Sequence, residues 1–373
     1  MLQEQLKGDV ESKEEISVDG FDHVEFYVGN ALQASYYYQR AFGFELVAFR
    51  GMETGSKESV SYVLKQDHIY LVLTAALNPN TEIAKHVHIH GDGVKAIGMK
   101  TRDARKAYDT AIARGAEPAG EFEVIQTEDG ILKRGSVKTY GEVVHAFIER
   151  ENFKGNFLPG YVACKGKISL PVGLAAIDHV VGNVEVDKMD DWVNFYRKVF
   201  GFRVSKQFEQ GEVMTKYSGL LSSVMSNKSG NIKLPINEPA NGLRRSQIQE
   251  YLDYYLASGV QHIAIATRNI IATVGELEKR GVEFLHIPPV YYDKLPERVG
   301  KIDEDINELK KLGILVDRES DGYLLQIFTK PVEDRPTLFF EVIQRKGASG
   351  FGKGNFLALY ESYEEDQALR GNL

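Results

Sequence analysis

The chain carries the same sequence plan twice, and this duplication limits its possible folds more than any other feature. FDHVEFYV at 21–28 is matched by IDHVVGNV at 177–184, which sets His23 over His179. YYYQRAFGF at 36–44 matches NFYRKVFGF at 194–202. GVKAIGMKTRDARKAYDTAIARG at 93–115 then matches GVQHIAIATRNIIATVGELEKRG at 259–281 at a constant offset. The halves also close alike, with IERENFKGNFL at 148–158 against IQRKGASGFGKGNFL at 343–357. Matches in the same order define an internal repeat, and a repeat decides architecture before any single residue does.

Within each half, β-branched runs such as HVEFYV precede helix-period stretches such as ALQASYYYQRAF, and shorter alternating runs follow. DARKAYDTAIARG and NIIATVGELEKRG read as amphipathic helices that open on Asp or Asn and close on Gly. The pattern predicts an α+β fold of four βαβββ modules in two pairs. Each pair should curl its sheet around a cavity, giving two open, barrel-like halves. The predicted organisation is a mobile tail at 1–20, an N-terminal half at 21–150, a Gly- and Pro-rich linker at 151–174 and a C-terminal half at 175–373. The second half adds a polar helical insert at 292–312 and a final helix around 355–369.

Composition narrows the function. A formal net charge of −8 lacks the dense basic surface that nucleic acids require. No run approaches the ~18 consecutive apolar residues of a membrane span. The opening MLQEQLKGDVESKEEISVDG is polar and acidic, unlike a secretory or mitochondrial leader. The single cysteine, Cys164, cannot form an internal disulfide, which suits a reducing compartment and a cytoplasmic location. It lies in YVACKGK with no histidine nearby in sequence and reads as a spectator.

Side chains alternate across a strand. At 176–181, Ile177, His179 and Val181 share a face; at 259–265, Val260, His262 and Ala264 do. At 338–343 the shared face holds Phe339, Glu341 and Ile343. Each strand therefore points one metal-type group into an apolar face. A lone histidine there is ordinarily a hydrogen-bonded core residue, and a lone glutamate ordinarily pairs with Lys or Arg. The duplication weighs against both readings, because the first half has His23, Ala96 and Ala146 at the same three positions. That is the pattern of one working site and one retired copy. Two imidazoles and a carboxylate can share a divalent metal and leave about three positions of an octahedron open, which suits oxygen-activating Fe(II) rather than a closed structural zinc site. His86, His88 and His90, in KHVHIHGDG, alternate on one expected strand face, but no carboxylate accompanies them in sequence and they read as non-ligating.

RGMETGS, LPINEP, SQIQEY, GVQHIA, LLQIFTKPVEDRPTLFFEVIQR and FGKGNF carry a resemblance over nearly the whole chain. The chain resembles the 4-hydroxyphenylpyruvate dioxygenase family of the vicinal oxygen chelate superfamily, with its glyoxalase-type fold. The resemblance implies Fe(II) on His179, His262 and Glu341. It also implies that 4-hydroxyphenylpyruvate and O2 become homogentisate and carbon dioxide through oxidative decarboxylation, ring hydroxylation and side-chain migration. Gln247, Gln261 and Gln326 match the family's catalytic amides. Ser222, Asn237 and Asn355 match polar substrate contacts, and Phe328, Phe339, Phe351 and Phe356 an apolar wall. Neutral amides suit a phenol and an oxo group because they donate and accept without adding charge. Strict alternation, however, sets Gln261 on the face opposite His262. The glycines of FGKGNF suggest a flexible hinge before a helical lid. A homodimer formed through the N-terminal halves is also implied. The competing readings are hydroxymandelate synthase, an extradiol ring-cleaving dioxygenase and an inactive paralogue that only binds an aromatic acid.

Overall fold

The computed structural model describes residues 14–164, 170–208, 219–240 and 242–372. The first half contains two βαβββ modules. One is β1 (Gly20–Tyr27), the helix Ala31–Arg40, β2 (Glu45–Arg50), β3 (Ser59–Gln66) and β4 (Ile69–Ala76). The other is β5 (Gly93–Lys100), the helix Ala104–Ala113, β6 (Glu123–Thr127), β7 (Gly130–Lys138) and β8 (Val144–Phe153). A short β9 (Val162–Ala163) adds to the edge at β2.

The second half repeats the plan. Its first module is β10 (Leu174–Asn183), the helix Met189–Phe195, β11 (Arg203–Phe208), β12 (Leu220–Ser226) and β13 (Lys233–Pro239). Its second is β14 (Gly259–Thr267), the helix Ile270–Lys279, β15 (Leu315–Glu319), β16 (Gly322–Phe328) and β17 (Phe339–Lys346). In each half the first strands of the two modules run antiparallel at the sheet's centre, and each pairs in parallel with the last strand of its own module.

Strand register confirms the duplication residue by residue. His23 faces Gly98, which faces Ala146; at the equivalent places His179 faces Ala264, which faces Glu341. Both central pairs also carry a bulge at the same place. The ladder passes from Glu25–Ala96 to Phe26–Val94, and from Val181–His262 to Gly182–Val260. Lys95 and Gln261 are the extra residues, released from strict alternation and re-aimed.

The halves share one core. Tyr38 and Phe42 of the first-half helix pack their rings 5.8 and 5.1 Å from Phe340 on β17. Phe340 thus anchors the back of the strand whose neighbouring residues, Phe339 and Glu341, face the other way. Burying a ring of this size contributes about 1.5–3 kcal/mol.

Two expectations change. Residues 14–19, expected within a mobile tail, are docked. Ile16 and Val18 are buried, and Ile16 N–H donates to Phe200 O at 2.9 Å, since two apolar side chains in an otherwise polar stretch find a seam between the halves. The earlier part of that tail lies outside the described residues. The expected strand at KHVHIHGDG is the helix Glu82–His90, opened by Thr81, whose Oγ1 accepts from Ala84 N–H at 3.2 Å. The polar insert forms three short helices, Val290–Asp293, Leu295–Val299 and Ile306–Leu312, and the chain ends in the helix Phe356–Leu369.

His23 is a buried structural residue, bonded through Nδ1 to Asp22 Oδ1 at 2.7 Å and set edge-on to Phe157. His23→Ala should lower stability by about 1–3 kcal/mol, the cost of an orphaned buried hydrogen bond. Denaturant midpoints should fall while turnover per folded molecule stays unchanged.

Candidate active site

The three central strands of the second half bring His179, His262 and Glu341 to one point. His179 Nε2 and His262 Nε2 lie 3.3 and 3.5 Å from the same Glu341 oxygen, and all three side chains are buried. Burial alone would push the Glu341 carboxyl up, but attraction and hydrogen bonding from His179, with a further bond from His262, outweigh it and hold the group at about 2. Burial pulls His179 down, yet Glu341 and Asp178 together raise it, whereas His262 stays lowered by burial. The site therefore holds one ionised carboxylate between two imidazole nitrogens. Such a cluster is costly to bury without a cation, and this donor set fits a divalent transition metal.

Each imidazole is held from behind. His179 Nδ1 is 2.8 Å from Asp178 Oδ1, and Arg345 donates Nε and Nη2 to that carboxylate at 2.7 Å each. Burial would raise Asp178, but Arg345 and His179 keep it well below the usual carboxylate range. His262 Nδ1 is 2.9 Å from Gln261 Oε1. With Nδ1–H donated in both cases, a metal that displaces the Nε2 protons would meet both Nε2 lone pairs. Asp178 and Arg345 were missed by strand-face reasoning. Their signal was present, because Asp22 and Arg150 make the same bidentate pair in the first half.

The triad opens into a cavity. Its wall contains Ser222, Asn237, Gln247, Gln261, Gln326, Phe328, Phe339, Phe351 and Phe356, all expected from sequence. Ser222 and Asn237 are direct cross-strand partners on β12 and β13. The bulge explains how Gln261 reaches the wall beside His262, and its Nε2 lies 3.5 Å from Gln247 Oε1. Phe339 stacks on His262 at 4.7 Å, and Phe351 meets the His179 ring edge at 5.1 Å. Gln326 Oε1 is buried with no protein partner among the described residues, so it is an acceptor available to a ligand.

Asn355 departs from expectation. It is fully buried outside the cavity wall, where its Oδ1 accepts from Tyr291 Oη at 2.6 Å and from Arg298 Nη2 at 3.3 Å. The final helix closes the cavity with Phe356, Leu359, Tyr360 and Tyr363, the last three of which sequence reasoning had not singled out. Its lead-in glycines serve close packing. A Cβ on Gly350 would strike Glu319, and one on Gly354 would strike Asp317, whose Oδ2 accepts from Gly354 N–H at 2.9 Å. His86, His88 and His90 take no part in this site.

A mixed sheet of paired βαβββ modules around two imidazoles and a carboxylate defines an oxygenase-type member of the glyoxalase-fold proteins. Residues 176–327 match the Glyoxalase/Bleomycin resistance protein/Dioxygenase superfamily, and residues 13–157 match the N-terminal model of hydroxyphenylpyruvate dioxygenase. The 4-hydroxyphenylpyruvate dioxygenases of Dictyostelium discoideum and Danio rerio are 46% and 47% identical to it; each alignment covers 95% of this chain, and 100% and 92% of the relative. A mutant 4-hydroxymandelate synthase from Streptomyces coelicolor superposes with a TM-score of 0.83 at 30% identity, covering 94% of this chain and 99% of that one. The chain belongs to the 4-hydroxyphenylpyruvate dioxygenase family, and it is an oxidoreductase.

Asp178→Asn removes the charge that fixes the His179 tautomer. Metal affinity should fall roughly 10–100-fold, the usual cost of losing such a partner. Equilibrium dialysis against Fe(II) under anaerobic conditions measures it.

Proposed function

We propose that His179, His262 and Glu341 hold Fe(II), and that the cavity above them converts 4-hydroxyphenylpyruvate and O2 to homogentisate and carbon dioxide. The observation that carries this reading is the Glu341 carboxyl group buried between two oriented imidazoles at the floor of a cavity walled by amides and phenyl rings. Bound Fe(II) supplies the open positions and the electron that dioxygen chemistry needs.

The chain's own residues do the rest. One carboxylate against a divalent ion leaves a net positive charge, which favours the anionic 2-oxo acid end of the substrate. Phe328, Phe339, Phe351 and Phe356 confine the ring by its faces and edges. Ser222, Asn237, Gln247, Gln261 and Gln326 offer neutral donors and acceptors for the phenol and the oxo group, and Gln326 Oε1 is the acceptor with an unfilled bond. Phe356, Leu359, Tyr360 and Tyr363 on the final helix exclude bulk water while an oxidising species is present. Movement of that helix as a gate would admit the substrate.

A homodimer formed through the N-terminal halves and a cytoplasmic location complete the proposal. The lone Cys164 supports the reducing compartment. No helix among the described residues is long and apolar enough to cross a membrane.

Anaerobic Fe(II) loading, then 4-hydroxyphenylpyruvate and oxygen, tests the chemistry. Homogentisate should form with one O2 consumed per carbon dioxide released. Hydroxymandelate would place the error in the aromatic wall, and no oxygen uptake by iron-loaded protein would overturn the reading. Glu341→Ala should abolish turnover while the fold survives; an active, iron-replete Glu341→Ala protein would remove the triad from the mechanism.

A further inference from the structure

The first half brings together a second set of two imidazoles and a carboxylate, whose Glu142 lines the same open cavity as the retired copy of the active site. His86 and His90 stand four residues apart on the helix Glu82–His90 and share a face, with ring centroids 4.8 Å apart. Glu142 comes from the turn before β8. Its Oε2 lies 2.7 Å from His86 Nδ1 and 3.7 Å from His90 Nε2. His90 Nδ1 donates to the Tyr255 carbonyl at 2.5 Å, and its ring stacks on Tyr255 at 4.6 Å. That bond fixes the tautomer in which the Nε2 lone pair faces Glu142, the arrangement that a backbone carbonyl imposes on metal-ligating histidines. His86 is 1% exposed and presents Nδ1 to Glu142.

We propose that His86, His90 and Glu142 form a second metal site, suited to Zn(II). The donor set is two nitrogens and one oxygen, with one negative charge set against the ion. Zinc bonds of about 2.0–2.1 Å at tetrahedral angles set ligand atoms roughly 3.3 Å apart. The observed separations of 2.7 and 3.7 Å bracket that value. Lys95, the bulge residue, donates to the backbone carbonyl of Glu142 at 2.7 Å. The Glu142 side chain is 38% exposed and lines the open cavity of the first half, so an ion can enter and keep its fourth position toward that cavity. His90 thus also ties the site to the last residue of the helix Gln247–Tyr255.

The test is zinc stoichiometry in metal-stripped full-length protein, by equilibrium dialysis at micromolar Zn(II) with elemental analysis. Wild type should bind two ions per chain, Glu142→Gln one, Glu341→Ala one, and the double variant none. Glu142→Gln should weaken the second site at least roughly tenfold, as even lost supporting contacts do, while Fe(II)-dependent turnover stays at the wild-type level. Co(II) should give the strong visible bands of a four-coordinate centre in Glu341→Ala and not in the double variant. Glu341→Ala protein that binds no zinc, or Glu142→Gln that binds as much as wild type, overturns the proposal and leaves a structural His–Glu pair.

Discussion

Everything around the site depends on keeping one carboxylate ionised where water cannot reach it. Glu341 sits on a central strand in an apolar half-barrel, and a bare charge there would cost several kcal/mol. Two imidazoles reduce the cost, and a divalent ion completes the compensation. The imidazoles must present lone pairs rather than protons to that ion, so each is gripped at Nδ1, one by Asp178 and the other by Gln261. Asp178 is itself a buried charge, and Arg345 answers it with a two-toothed grip. Arg345 also donates Nη1 to the Gly350 carbonyl at 2.6 Å, at the start of the segment that leads through Phe351 into the closing helix. A single chain of contacts thus runs from the buried charge to the segment that leads into the final helix.

The first half keeps the scaffold of this arrangement without its chemistry. Asp22, His23 and Arg150 reproduce the relay, but Ala96 and Ala146 occupy the other two ligand positions. The relay persists because a buried Asp–Arg pair, once present, is expensive to break by halves. The half's work is mechanical: Tyr38 and Phe42 back the strand that carries Glu341.

Much of this was legible in the sequence, for identifiable reasons. The repeat set the modules, and the difference between its halves singled out His179, His262 and Glu341, because structural core positions would have been kept alike. Periodicity failed where two periods coincide. Histidines at 86, 88 and 90 fit a strand by alternation, yet positions 86 and 90 also share a helical face, and the Thr81 cap decides for the helix. Alternation likewise could not foresee the bulge that turns Gln261 toward His262, because a bulge leaves no mark in hydrophobic pattern. Asn355 matched the substrate contacts by resemblance, but Tyr291 and Arg298 draw it into a buried network. Glu142 lies 56 residues from His86, a pairing that only tertiary structure can reveal.

The most direct test of the central claim is a crystal structure of protein loaded anaerobically with Fe(II), with anomalous data collected at the iron edge. The strongest anomalous peak should lie between His179 Nε2, His262 Nε2 and the Glu341 carboxylate, and it should vanish in Glu341→Ala. Iron-loaded, active crystals with no peak among those three side chains would contradict the account.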